Sequence, residues 1–81
     1  MDCPICGAVA ENITSPGFDG LGVRCHNCKD FDVADAALNQ LLRMDIEERT
    51  AALEKARRLA PPGARPVINS TSLSLVVLLS N

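Results

Sequence analysis

Tryptophan and tyrosine are missing from this 81-residue chain, and phenylalanine occurs only twice, at Phe18 and Phe31. So few aromatic rings leave little large core bulk and few platforms on which nucleobases could stack. Histidine is nearly absent too: His26 stands alone, so a His-based nucleophile–base pair has little to be built from. No Gly-rich phosphate loop is present either. The chain offers no visible active site.

Long apolar runs are also lacking. The longest unbroken stretch near the C-terminus, Leu75 to Leu79, falls far short of the roughly 20 residues a bilayer span needs. The opening MDCPICGA has neither a basic n-region nor a long apolar segment, which argues against a secretory signal. The expectation is a soluble, cytoplasmic protein with no membrane role, in a compartment where thiols stay reduced unless a metal holds them.

Positive charge is scarce in the first part of the chain. Up to Asp35 there are two basic residues (Arg24, Lys29) against six acidic ones, and beyond it six basic against four acidic. That balance lacks the dense basic footprint of a phosphate-backbone binder. Apolar residues make up 47% of the chain, but ten are Ala and ten are Leu. A core so small and aliphatic gains much from a staple.

Cysteine supplies the staple. All four cysteines fall in two tight pairs, CPIC (Cys3, Cys6) and CHNC (Cys25, Cys28), with 18 residues between them. Two residues between cysteines let one turn aim both thiolates at one ion, and two such turns close a tetrahedral S4 shell. That shell suits Zn2+ and leaves no coordination position for substrate. Iron ligation, a thioredoxin-type redox pair and structural disulfides are the alternatives. The last two fit worse, for want of a strand–motif–helix setting and of an oxidising compartment. Gly7 follows the first pair and can take positive φ, whereas Lys29 stands at the matching position of the second, a less ideal turn. His26 lies inside the second turn and reads as a solvent-facing residue rather than a ligand.

Further signals place the elements. AVAENIT alternates as a strand, SPGFDG is a turn, LGVRC returns, and KDFDV is a third strand with Phe31 and Val33 on one side. Phe31 reads as core packing beside the metal, while Phe18, in the turn, suits contact or burial equally. From Asp35 the period turns helical: Ala34, Leu38, Leu41 and Leu42 share a face, with Asp32 or Asp35 as cap. Asp45 and Glu48 form a capping-box pattern, predicting a break near Met44 and a second helix from Ile46 to about Ala60. Its inward face is expected to be Ile46, Leu53, Ala56, Leu59 and Ala60, with ion pairs Asp45–Arg49 and Glu54–Arg58. Lys55, Arg57 and Arg58 near its end read as favourable dipole charges more than as a ligand patch.

After PPGARP, Val67, Ile68 and the run Leu73–Leu79 read as a strand that is apolar on both faces and needs a partner. That partner is the ribbon sheet, a second copy of the chain in a homodimer, or another protein.

Residues 1–42, about half of the chain, resemble the zinc-ribbon modules of bacterial proteins and phages. CPICGA, FDGLGVRCHNCKDFDV and VADAAL carry the likeness. It implies a first knuckle leading into a β-hairpin, a second knuckle at the hairpin's far end, and a short strand after it. Function is not implied, because ribbons serve many machineries. The expected architecture is α+β: a zinc ribbon with a short antiparallel sheet (1–34), two α-helices packed on it (35–60), then a Pro/Gly linker and C-terminal β-strand (61–81). The expected function is a non-catalytic interaction module, a small regulator or phage-type inhibitor of a larger complex. A nucleic-acid-binding ribbon is the alternative.

Overall fold

A computed structural model describes residues 1–70 and Leu73. Three antiparallel strands form first along the chain: β1 (Ala10–Asn12), β2 (Gly20–Cys25) and β3 (Lys29–Ala34). Polar side chains organise the turn between β1 and β2. Asn12 Oδ1 accepts from the Thr14 N–H (3.0 Å) and hydroxyl (2.6 Å), and Thr14 Oγ1 in turn accepts from the Gly22 N–H at 2.9 Å. Gly22 is fixed by this close approach, since a Cβ there would lie 2.9 Å from the Ile13 and Thr14 backbone.

Two helices follow, α1 (Asp35–Leu42) and α2 (Ile46–Leu59). They form the crossover that lets β4 (Val67–Ile68) return parallel to β3, a connection that a tight turn could not make. The sheet order is β1-β2-β3-β4. The α+β arrangement of antiparallel ribbon, two helices and C-terminal strand is therefore as the sequence predicts. Val23, Phe31 and Val33 from the sheet, Ala37 and Leu41 from α1, Ala52, Leu53 and Ala56 from α2, and Ile68 and Leu73 share one buried core. No helix among the described residues is long and apolar enough to cross a membrane.

The capping box at Asp45 is complete. Its carboxylate accepts from the Glu48 N–H at 2.8 Å, and Glu48 Oε1 accepts from the Asp45 N–H at 3.3 Å. Other helical expectations need correction. Neither Asp32 nor Asp35 caps α1: the cap residue is Ala34, without a side-chain bond, and the Asp35 N–H is met by the Asp19 carbonyl at 3.0 Å. Asp32 is buried and pairs with Arg65, its Oδ2 lying 3.2 Å from the guanidinium Nε. Leu42 is exposed rather than inward. So are Ile46 and Leu59, and Ala52 takes a place on the buried face of α2 that the sequence reading did not give it.

The expected ion pairs also differ. Glu54 pairs with Arg57, three positions on, at 2.6 Å rather than with Arg58. Asp45 spends its carboxylate on the cap, and Arg49 turns instead to carbonyls where α1 meets α2: Met44 O at 2.9 Å and Leu42 O at 2.8 Å.

At the C-terminal side, Val67 and Ile68 do find the ribbon sheet, opposite Asp32 and Val33. Leu73 departs from the strand reading. Its N–H donates to the Asn69 carbonyl at 3.1 Å, an i to i−4 helical bond, and its side chain is fully buried. Apart from Leu73, the expected pairing or homodimer segment Leu73–Leu79 lies outside the described residues.

Candidate metal centre

Each cysteine pair sits on a tight turn locked by backbone bonds. In the first, the Cys3 N–H donates to Ala8 O at 2.7 Å and the Gly7 N–H to Cys3 O at 2.9 Å. Met1 and Ala10 exchange a pair of bonds behind them, closing a miniature hairpin. Gly7 adopts φ +80°. The second turn joins β2 to β3, where Cys25 pairs with Lys29 in the ladder. Lys29 takes φ +66°, the left-handed conformation of Gly7 one residue after the last thiol. The two knuckles are thus geometric copies, although one of them has to force a lysine into the glycine conformation.

Sheet register brings the copies together. Ala10, four residues beyond Cys6, lies opposite Cys25 in the β1–β2 ladder. The first knuckle therefore arrives beside the second as soon as the hairpin pairs.

The sulfurs of Cys3, Cys6, Cys25 and Cys28 lie within 4.8 Å of one another, and Cys6 Sγ is 3.6 Å from Cys25 Sγ. Zn–S bonds of about 2.3 Å at tetrahedral angles give sulfur edges of about 3.8 Å. Donor type and spacing both fit: the cluster is a tetrahedral-like S4 set typical of a single Zn2+ ion. None of the four is tied up in a disulfide. Bound there, zinc supplies cross-linking and closure rather than an open Lewis-acid position.

Backbone and burial act oppositely on the thiols. The Ala8 N–H aimed at the Cys6 sulfur brings that thiol down to about 7. Burial raises Cys3, despite N–H groups of Cys6 and Ile5 facing its sulfur, the latter at 3.4 Å. Burial likewise raises Cys28. Cys6 is the solvent-facing member, with Asn27 Nδ2 4.0 Å from its sulfur, while the other three are buried.

His26 is exposed and stands outside the sulfur cluster, in keeping with its reading as a turn residue. Phe31 is fully buried in the core that the cysteines join, and Phe18 is half-buried. Of the basic trio on α2, Arg58 is exposed and Lys55 half-buried. Arg57 is exposed as well, yet its Nη2 donates to the Cys28 carbonyl at 2.6 Å. Arg49 does the same at the first knuckle, donating from Nη1 to Pro4 O at 3.1 Å. Sequence reasoning missed both contacts, because spacing along one helix carries no signal for a carbonyl 29 or 45 residues away.

Comparison with protein-family models, with curated proteins and with solved structures returns no match. What the chain has in common with zinc ribbons is the knuckle pair and the sheet that holds it.

Proposed function

We propose that this protein is a non-catalytic, zinc-stapled interaction module that docks on another protein or protein complex as a small regulator or inhibitor. One observation carries the reading. Leu42 and Ile46, at the corner between α1 and α2, are 51% and 64% exposed, while Met44 between them is buried. Single exposed leucines are ordinary, but here two large apolar side chains flank one corner of the chain among the charged residues Arg43, Asp45 and Glu47. The four-thiolate shell supports the non-catalytic part, since it leaves no coordination position for a reacting water. The four free thiols suit a reducing cytoplasm.

A second reading has one observation in its favour. A groove of about 610 Å³ beside the second knuckle is lined by Arg24, Lys29 and Arg65, cations that a nucleic-acid phosphate could meet, together with His26. Two of these charges are already engaged, however: Arg24 with Asp30 at 3.1 Å and Arg65 with Asp32 at 3.2 Å. Four thiolates around one Zn2+ add a further net −2 nearby. Protein partners are favoured for that reason.

The test compares the wild-type chain with a Leu42→Glu, Ile46→Glu double variant in native lysate. A partner identified by mass with the wild type is expected to be lost with the variant, at unchanged zinc content and helicity. Equal capture by both chains would sink the proposal. So would nanomolar binding to DNA or RNA that Lys29→Glu abolishes; the expectation is nothing tighter than the non-specific range of about 10⁻⁴ to 10⁻⁶ M.

A further inference from the structure

Arg49 and Arg57 lie eight positions apart on α2, about 12 Å along its axis, and each reaches a different cysteine knuckle. Arg49 donates to Pro4 O, in the Pro4–Ile5 peptide between the two cysteines of the first knuckle, while Arg57 donates to the carbonyl of Cys28 itself. Between them α2 presents Ala52, Leu53 and Ala56, all buried in the core that also holds Cys3, Cys25 and Cys28. Small residues there let the helix come close enough for side chains to reach the knuckle backbone.

Both arginines are held from a second side. Arg57 Nη1 pairs with Glu54 Oε1 at 2.6 Å, and Arg49 also donates to Leu42 O and Met44 O. Each guanidinium thus bridges its own helix region to a knuckle, using a wide planar fork of donors where a lysine would offer one compact ammonium. The knuckles are otherwise joined through the β1–β2 register and through the sulfurs themselves.

We infer that Arg49 and Arg57 are positioning residues of the zinc centre: a pair of clamps by which α2 holds the two knuckles at the separation one ion requires. Two guanidinium charges at the knuckle backbone also oppose the net −2 of a zinc tetrathiolate. Coupling of this kind is reciprocal, so whatever the clamps add to zinc affinity, zinc adds to the docking of α2. The metal then does more than fold the ribbon. It fixes the helix whose first turn carries Ile46.

Arg58 provides the internal control. It sits beside Arg57 on the same helix, is exposed, and reaches no knuckle. Zinc affinity of the full chain is measured by competition with a chromophoric chelator for Arg49→Ala, Arg57→Ala and Arg58→Ala. Each clamp variant is expected to lose about 10-fold to 100-fold, the usual cost of removing an outer-shell partner, while Arg58→Ala stays within about twofold of wild type. Co2+ substitution reads the ligand set independently: an unchanged tetrahedral four-thiolate spectrum in the clamp variants shows loss of affinity without loss of a ligand.

Equal affinity in all three variants would overturn the inference, and so would a loss confined to one arginine or a spectrum showing fewer thiolates. Should an alanine variant fail to fold with metal, Arg57→Lys and Arg49→Lys decide instead. They keep the charge but not the two-sided reach, and a drop of at least about threefold is expected. Wild-type affinity in both lysine variants would refute the clamp.

Discussion

At the residue scale, the metal site was almost fully legible. C-x2-C spacing is a local property, because the turn that aims two thiolates at one point is encoded within the few residues it contains. Lys29 was legible only in part. Its place after Cys28 matches Gly7, and the chain resolves the mismatch by holding lysine at φ +66° instead of abandoning the turn. A left-handed non-glycine residue costs about 1–2 kcal/mol, much of which glycine avoids. Lys29 recovers little in return, since its Nζ contact to His26 O is exposed and 3.3 Å long. Lys29→Gly is therefore expected to stabilise the zinc-loaded protein by up to about 1 kcal/mol, read as a raised melting temperature. An unchanged or lowered value would mean that the lysine contact outweighs the backbone strain.

At the element scale, strands and helices were placed nearly where they lie, but their faces were not. Leu42, Ile46 and Leu59 satisfy helical periodicity yet point outward, because α1 and α2 bury a different part of the stripe, Ala37, Leu41, Ala52, Leu53 and Ala56. Periodicity gives a stripe; which residues within a wide stripe touch the core depends on how the helix crosses the sheet, and that is tertiary information. The parallel pairing of β4 was illegible for the same reason. Caps are local, and the box at Asp45 and Glu48 is written in the sequence itself. Helix α2 also brings Arg49 and Arg57 to the knuckles, so losing its first turn should be felt at a distance. Asp45→Ala is expected to cost about 1 kcal/mol in stability, the usual value of a side-chain cap. Chemical denaturation of the zinc-loaded protein measures it, and a midpoint shift with an unchanged m-value is the result that fits a lost cap.

At the scale of the whole molecule, one ion weighs as much as all other terms together. Structural zinc sites contribute about 10–16 kcal/mol, against a net stability of about 5–15 kcal/mol for an ordinary domain. Chelation at neutral pH is thus expected to unfold the ribbon cooperatively, visible as simultaneous loss of the strand and helix signals. Retention of the metal should also depend on pH in a definite direction. In the folded turn the Ala8 N–H draws Cys6 down to about 7, which favours its thiolate. Buried Cys3 and Cys28, raised by desolvation, must surrender protons to the metal. Because the chain without metal is unfolded, its thiols start near the ordinary value of about 9 and give up protons to bind the ion. Zinc-dependent stability is therefore expected to be fullest above about pH 9 and to fall as pH drops below it. Titration calorimetry in buffers of different ionisation enthalpy counts those protons, and zinc affinity that does not weaken from alkaline to acidic pH would contradict this account. The order of the strands has a temporal side as well. All four sulfurs lie within the first 28 residues, so the knuckles can close on a metal while the rest of the chain is still being translated. The outer edge of β3 is not so fortunate. Its partner begins at Val67, and at about 5–20 residues per second several seconds pass between the emergence of one and of the other. A nascent ribbon therefore carries a bare strand edge at Asp32 and Val33 until β4 arrives, open during that interval to pairing with other chains.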